Sequence, residues 1–167
     1  YEFVKIKVCR IEYNFTFVPI TKTHPDAVVP TQKPGDVGFD VSSVERIEIM
    51  PGCTQKVATG LKIADAIVTP NQNQQVQFLK VEGRSGLASR GVFPVGGIID
   101  PDYRGEIGII LHNSSKDTFV INKGDRIAQL VCYIVLATST FNKVRFTVAD
   151  SVSKTDRGEK GFGSSGM

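Results

Sequence analysis

Residues 4–9 read Val4-Lys5-Ile6-Lys7-Val8-Cys9, an alternation of apolar and polar side chains that recurs near the other end as Val144-Arg145-Phe146-Thr147-Val148. A period of two places every second side chain on one face of a strand, so both stretches predict half-buried β-strands. Between them, further strands are predicted at 15–20, 46–49, 55–62, 76–81, 107–111, 118–121 and 127–135. Turn signals such as Pro-Gly, Lys-Gly-Asp and Asp-Pro-Asp separate these segments.

The pattern as a whole predicts an all-β fold. No window of 11 or more residues has helical periodicity, and only residues 85–89 suggest a short helical turn. Many short strands are compatible with a sandwich, a jelly roll or a barrel, and periodicity does not choose among them. The polar run 71–75 is predicted to tip a hairpin. We expect one all-β domain over residues 1–150, followed by a mobile arm at 151–167 that is rich in glycine, serine and charge.

Composition limits the functions to consider. The chain has 167 residues, 41% of them hydrophobic, which is enough for one domain with a real core. Its longest apolar stretch, 127–137, falls short of the roughly 20 residues that span a bilayer, so we expect no membrane segment. A net charge of +3 does not favour nucleic acid as a partner but suits a small polyanion. Three widely spaced cysteines, Cys9, Cys53 and Cys132, predict an intracellular setting, cytoplasmic or nuclear and not secreted.

Familiar catalytic spacings such as CxxC, HExxH or GxSxG are absent from the sequence. Instead, glycine is joined to charged or hydroxyl side chains in five segments: 35–41, 83–89, 96–105, 124–130 and 157–166. This combination lets backbone N–H groups approach phosphate oxygens. Each segment alone also has a purely structural interpretation. For 97–105 this is a hairpin tip, for 124–130 a turn in which Asp125 and Arg126 pair locally, and for the last a terminal tail in which Phe162 is the unusual residue.

Taken in order, the five segments resemble the motifs of the trimeric dUTPase family over nearly the whole chain. The matching residues are Gly38-Phe39-Asp40, Arg84-Ser85-Gly86-Leu87-Ala88, Gly97-Ile98-Ile99-Asp100 with Tyr103-Arg104-Gly105, Gly124-Asp125-Arg126-Ile127-Ala128-Gln129-Leu130, and Arg157-Gly158 with Gly161-Phe162-Gly163-Ser164-Ser165-Gly166. The resemblance implies a distorted β-jelly roll of the β-clip type. It also implies a homotrimer with shared active sites that hydrolyses dUTP to dUMP and pyrophosphate with Mg²⁺, and a fifth motif that closes as a lid.

The same resemblance implies a role for each matched residue. Asp100 is expected to be the general base that activates the attacking water, and Asp40 to hold waters on the Mg²⁺. Phosphate oxygens are expected to bind Arg84, Ser85, Gly86 and Gln129, and the outer phosphates Arg157, Gly163, Ser164 and Ser165. The main chain around Gly97 and Ile99 is expected to read uracil, with Phe162 stacked on the base and Tyr103 beneath the deoxyribose.

The chain departs from the family pattern at a few places. Gly83 stands where Pro is common before Arg-Ser-Gly, Lys160 replaces a common Gly, residues 1–14 are extra, and 65–80 is longer than in compact members. Two alternatives are considered. A dCTP deaminase-like enzyme is disfavoured because its catalytic Glu is matched here by the aliphatic Ile110. A regulatory binding protein on the same scaffold, with 71–75 as its contact surface, is the other.

Overall fold

The computed structural model describes residues 18–65, 67 and 75–136. Within them the chain forms ten strands and one short helix. The strands are β1 (Ile20–Lys22), β2 (Phe39–Ser42), β3 (Ile47–Ile49), β4 (Thr54–Ile63), β5 (Gln75–Glu82), β6 (Val92–Pro94), β7 (Ile98–Ile99), β8 (Glu106–Asn113), β9 (Phe119–Ile121) and β10 (Arg126–Leu136), and the helix is α1 (Ser85–Ala88). The predicted all-β class is therefore confirmed.

The strands form two four-stranded antiparallel sheets and one two-stranded pair. One sheet has the order β1-β4-β8-β6, the second has the order β2-β10-β5-β7, and β3 pairs with β9. Alternation explains which faces meet: along β8, Ile107, Ile109 and Leu111 are buried while the intervening residues are exposed or half-buried. The core draws apolar side chains from all three sheets, including Val57 and Leu61 of β4. The second sheet carries Asp40 on β2 and Gln129 on β10, and α1 and the segment around β7 adjoin it in the chain, so it positions the described part of the predicted site.

The sequence predicts all the long strands and some of the short ones. Strands β3, β4, β5, β8, β9 and β10 lie in or overlap the predicted segments, and α1 falls within the predicted turn 85–89. Strand β1 shares only Ile20 with the predicted segment 15–20, and β2, β6 and β7, of two to four residues each, were not predicted. The predicted segments 4–9 and 144–148 and the arm 151–167 lie outside the described residues, as do 15–17. In the described part, no helix is both long and apolar enough to span a bilayer.

One predicted hairpin needs correction. The segment 97–105 does not tip one, because β7 pairs with β5 whereas β8 pairs with β4 and β6. It is a crossover between the two large sheets. The predicted hairpin tip at 71–75 lies almost wholly outside the described residues and stays a prediction. Period-two alternation identifies strands and carries no information about their partners, which is why the connection at 97–105 was misjudged.

Candidate active site

Three polar side chains lie in one row at an end of the second sheet. Gln129 of β10 is the register partner of Asp40 on β2 and of Glu82 on β5. Residues directly opposite each other on antiparallel strands point to the same face, so the three side chains are neighbours. Arg84 follows two residues after Glu82 and precedes helix α1. The first, second and fourth glycine-bearing segments therefore meet at this end of the sheet.

The Asp40 carboxylate holds two arginines. Its Oδ1 accepts a hydrogen bond from Arg84 Nε at 2.9 Å, and its Oδ2 accepts one from Arg126 Nη1 at 3.0 Å. Arg84 Nη1 also donates to the Arg126 carbonyl oxygen at 3.1 Å. The side chains of Asp40 and Arg84 are only 18% and 23% exposed, so this pair is screened less than a surface pair. One negative charge between two positive ones leaves the cluster cationic and suited to an anion.

Gly38 makes room for the Gln129 side chain. A Cβ atom at position 38 would lie 2.7 Å from Gln129 Oε1 and 3.0 Å from Gln129 Cβ. Real Cβ atoms do not approach other atoms so closely, so any larger residue would displace the Gln129 amide. The glycine of the first segment thus sets the position of the glutamine of the fourth.

The third segment forms a separate structure along β5. The Val81 N–H donates to the Gly97 carbonyl at 2.8 Å, and Gly97 has a φ of +119°, a conformation that glycine adopts without strain. A Cβ there would also lie 2.7 Å from Val81 Cβ. Ile99 is buried, so it offers only its main chain. The backbone around Gly97 is therefore held tightly against the sheet.

Asp100 and Tyr103 stand in the turn that follows β7. The Tyr103 N–H donates to the Asp100 carbonyl at 3.0 Å, and the Tyr103 hydroxyl donates to the Glu106 carbonyl at 3.1 Å. Tyr103 as a whole is 45% exposed. Asp100 is exposed, and no donor among the residues that the structure describes bonds to its carboxylate. An accessible carboxylate with unoccupied oxygens can accept a proton from water.

Asp100 and the pair formed by Asp40 and Gln129 lie at different positions along β5. Ile99 pairs with Leu79, so Asp100 lies at the level of Phe78, whereas Asp40 and Gln129 lie at the level of Glu82. Four residues of strand separate these levels, which is about 13 Å. One copy of the chain thus presents a cationic end and an Asp100 end, set apart along the same sheet.

A cluster of Lys80, Glu82 and Tyr133 lies on the same face of the sheet, between the cationic end and the Asp100 end. Lys80 Nζ is 2.5 Å from Glu82 Oε1, and the Tyr133 hydroxyl donates to that oxygen at 3.2 Å. The hydrogen bond from Lys80 is the main cause that lowers the pKa of Glu82, and the reciprocal bond raises the pKa of Lys80. The Tyr133 ring stacks on Phe78 with centroids 5.5 Å apart. The sequence analysis did not single out these residues, because their spacing on β5 and β10 reads only as strand.

Comparison with known proteins identifies the family of the chain. The sequence profile of the dUTPase family matches residues 25–166. The deoxyuridine 5'-triphosphate nucleotidohydrolase of Picosynechococcus sp. is 40% identical over 151 residues, which cover 88% of this chain and 96% of that protein. This chain belongs to the dUTPase family. As a family member it is an enzyme of the hydrolase class.

Solved dUTPases share its fold. The dUTPase of Staphylococcus bacteriophage 80alpha, solved with dUpNHpp, superposes with a TM-score of 0.64 at 26% identity, covering 93% of this chain and 100% of that one. A variant of the dUTPase from phage phi11 of S. aureus, whose structure concerns the coordination of a structural Mg(II) ion, superposes with a TM-score of 0.60 at 21% identity, covering 81% of this chain and 100% of that one. The jelly-roll fold expected from the motifs is thereby confirmed.

The structure gathers some of the predicted dUTPase residues and leaves others apart. Asp40, Arg84 and Gln129 converge at the cationic end, with Ser85 and Gly86 exposed on α1 beside them. The third-motif residues Gly97, Ile99, Asp100 and Tyr103 lie at the other end. The fifth-motif residues Arg157, Phe162, Gly163, Ser164 and Ser165 lie outside the described residues.

One local expectation in the fourth motif was wrong. Arg126 does not pair with Asp125. It pairs with Asp40, 86 positions earlier in the chain, while Asp125 Oδ2 accepts the Asn122 N–H at 2.8 Å within the turn. The sequence places Arg126 next to one acid only, whereas the pairing of β2 with β10 brings in another. Arg126 is thus the site residue that sequence reasoning missed, although it stands inside a quoted motif.

Asp40 can contact Mg²⁺ through a water but is poorly placed to be its principal direct ligand. The described part of the chain holds no group of three or more His, Cys, Asp or Glu side chains that could ligate a metal. Both Asp40 oxygens already accept an arginine N–H, which occupies about two of the four lone-pair positions of a carboxylate. Mg²⁺ in nucleotide enzymes keeps several waters and takes most of its other ligands from the phosphates. Asp40 therefore fits contact with a metal-bound water and does not fit a role as the principal direct ligand.

Proposed function

We propose that this chain hydrolyses dUTP to dUMP and pyrophosphate. The observation that carries the proposal is the Asp40-Arg84-Arg126 cluster beside Gln129, found in a chain of the dUTPase family. A cationic cluster with an adjacent amide suits a triphosphate, because guanidinium groups bind phosphate oxygens in pairs. The name of the Picosynechococcus relative and the dUpNHpp bound to the phage 80alpha enzyme support dUTP as the substrate.

In this proposal the cationic end binds the phosphates. Arg84, Ser85, Gly86 and Gln129 contact phosphate oxygens. The arginines neutralise charge on the departing pyrophosphate, and such preorganised groups account for much of the catalysis of phosphoryl chemistry. A bound Mg²⁺ would add to this neutralisation, and Asp40 would hold it through a water.

The Asp100 end binds the nucleoside and performs the proton transfer. Main-chain groups of Gly97 and Ile99 read the uracil edge, which the burial of the Ile99 side chain supports. Tyr103 packs beneath the deoxyribose, where its ring leaves no space for a 2'-hydroxyl. Asp100 takes a proton from the water that attacks the α-phosphorus, and its exposed carboxylate, which no donor from the described residues engages, supports that role.

Each active site is shared between copies of the chain in a homotrimer. The offset of about 13 Å along β5 supports this, because Asp100 of one copy lies far from Gln129 and Asp40 of the same copy. A neighbouring copy that placed its cationic end beside Asp100 would complete the site. Arg157, Phe162, Gly163, Ser164 and Ser165 close over it as a lid formed by the arm 151–167. The family match through residue 166 supports the lid.

The variant Asp100→Asn tests the assignment of the base. We expect turnover to fall by at least about 10²-fold, since a general base contributes that much, while a non-hydrolysable dUTP analogue binds nearly as before. The matched control is Asp102→Asn, an exposed carboxylate in the same turn, which should keep its activity. Pyrophosphate and ammonia are measured with dUTP, dCTP and UTP. Near-normal turnover of Asp100→Asn, or ammonia release from dCTP, would overturn the proposal.

Mixing two inactive variants tests whether the site is shared. Asp100→Asn and Arg84→Gln chains are unfolded together, reassembled and assayed with dUTP. If the two residues come from different copies, about a quarter of the sites contain both native residues, so activity returns to about a quarter of the wild-type value. Each variant reassembled alone is the control and should stay inactive. Without recovery in a properly assembled mixture, Asp100 and Arg84 of the same copy serve one site.

A further inference from the structure

Gly105, in the segment between β7 and β8, has a backbone conformation that any residue could adopt. Several glycines of the chain, such as Gly97 and Gly124, have a positive φ, but Gly105 is not among them. Outside the left-handed region an L side chain meets no backbone strain. The presence of glycine at position 105 therefore depends on the space around it and not on its own conformation.

The space beside Gly105 is filled by the Tyr103 ring. A Cβ atom at position 105 would lie 2.8 Å from Cε2 of this ring, and closer still to its Cζ and its hydroxyl oxygen. Real Cβ atoms do not approach other atoms within 3.0 Å, so a side chain at position 105 would displace the ring. Tyr103 is half-exposed, and its ring can turn toward solvent without disturbing the core.

The hydroxyl end of the Tyr103 ring is anchored to the start of β8. The hydroxyl donates to the Glu106 carbonyl at 3.1 Å, and Glu106 is itself fixed because its Oε1 accepts the Gly60 N–H at 3.3 Å. At the main-chain end, the Tyr103 N–H donates to the Asp100 carbonyl. The ring therefore has a defined position relative to the expected general base.

We propose that Gly105 is a positioning residue for Tyr103, and that it thereby sets the preference of the site for a 2'-deoxyribose over a ribose. The inference rests on the proposed function, in which Tyr103 packs beneath the sugar. A ring excludes a 2'-hydroxyl only while it stays in place, because rotation about its side-chain bonds would open the space. The lack of a side chain at position 105 and the hydrogen bond to Glu106 together keep the ring there. Gly105 acts through Tyr103 and needs no contact with the nucleotide.

The test compares Gly105→Ala with the matched control Gly108→Ala. Gly108 also lacks a positive φ, and a Cβ there would lie 2.5 Å from Cε of Lys56, a side chain of β4 that belongs to no predicted site. Two ratios are measured: kcat/KM for dUTP relative to UTP, and affinity by calorimetry for dUMP relative to UMP. We expect both ratios to fall by at least about tenfold in Gly105→Ala, because a pocket rejects an added hydroxyl by about 10²-fold at most. Gly108→Ala should keep both ratios.

A double variant shows whether Gly105 acts through the ring. Tyr103→Ala removes the ring, so adding Gly105→Ala to it should change neither ratio any further. A further fall in the double variant would overturn the inference, and so would unchanged ratios in Gly105→Ala alone. If Gly105→Ala melts far below wild type, the melting temperature of the double variant decides. Recovery to the value of Tyr103→Ala supports a collision with the ring, whereas a persistent loss places the strain in the backbone and overturns the inference.

The monophosphate affinities separate this inference from the proposed function. If the wild-type chain prefers dUMP to UMP, and Gly105→Ala removes that preference, the positioning role stands even where no pyrophosphate is released from dUTP and the proposed reaction fails. If the wild-type chain hydrolyses dUTP in preference to UTP, and Gly105→Ala discriminates equally well, the reaction stands and the positioning role fails.

Discussion

Replacing Asp40 with asparagine removes the one charge that holds two arginines. The amide has nearly the shape of the carboxylate, but only its oxygen can accept a hydrogen bond, and its NH₂ group faces an arginine donor. Arg84 and Arg126 would both lose their countercharge. Because the Arg84 side chain is only 23% exposed, water compensates this loss only in part. The substitution therefore isolates the electrostatic contribution of the cluster.

The two pairs differ in expected strength. A hydrogen bond between charged, partly buried groups contributes about 1.5–3 kcal/mol, which applies to Asp40 and Arg84. Arg126 is 51% exposed, and exposed pairs contribute about 0.2–1 kcal/mol. Allowing for the bond that asparagine keeps, we expect the free energy of unfolding to fall by about 2–3 kcal/mol. We also expect kcat/KM to fall by about 10–100-fold, since Arg84 is no longer fixed toward the phosphates.

Denaturant unfolding at a fixed chain concentration measures the stability, because assembly also contributes to it. Double-mutant cycles with Arg84→Gln and Arg126→Gln should give a coupling energy to Asp40 that is larger for Arg84. Independent sites couple by no more than about 0.3 kcal/mol. A coupling energy between Asp40 and Arg84 below that level would falsify the proposed stabilisation of Arg84 by Asp40. A Mg²⁺ titration of activity tests the expected role of Asp40 in holding a metal-bound water. If Asp40→Asn needs no more Mg²⁺ than wild type, the expected contact with a metal-bound water is wrong.

Gly97→Ala should unfold more easily than wild type by about 1–3 kcal/mol, because it strains a positive φ and collides with Val81. Gly52→Ala is its control, since Gly52 also has a positive φ but has open space around it; equal losses in urea would contradict the collision. Glu82→Gln should lower the melting temperature only within a range of pH. The lowered pKa of Glu82 gives a stabilisation that is lost as acid protonates it below its usual 4.5, and the raised pKa of Lys80 gives one that is lost above its usual 10.5. Melting temperatures of wild type and Glu82→Gln at low salt should therefore differ at neutral pH and converge in acid, and a constant difference down to pH 3 would refute the pairing.

The sequence predicted strands that have a local alternation pattern, and it did not predict strands that are defined by their pairing with distant segments. Strand β8 was predictable because Ile107, Ile109 and Leu111 alternate over a length that shows the period. Strand β7 was not, since Ile98 and Ile99 are two adjacent apolar residues whose strand character comes from pairing with β5. The same two residues made the following turn look like a hairpin tip. Pairing is decided by packing between distant segments, which period-two alternation does not encode.

The site shows the same division. Order and spacing of the motifs identified Asp40, Arg84 and Gln129, and strand pairing brings the three together. The position of Asp125 next to Arg126 suggested a local ion pair, yet the structure gives Arg126 to Asp40. Asp125 lies in the turn before β10, where its carboxylate accepts the Asn122 N–H, so adjacency in sequence was a poor guide here. Register partners across β2 and β10 were the deciding contacts, and they became visible only in the fold.

The shortage of negative charge at the cationic end is what makes it ready for a ligand. An arginine has five N–H donors. Arg84 donates one to Asp40 and one to the Arg126 carbonyl, which leaves about three. Arg126 donates one to Asp40, which leaves about four. A second carboxylate in the cluster would compete with a phosphate for these donors, and removing Asp40 would let both side chains move. One carboxylate between two arginines fixes their position while leaving most of their donors, and a net positive charge, for the substrate.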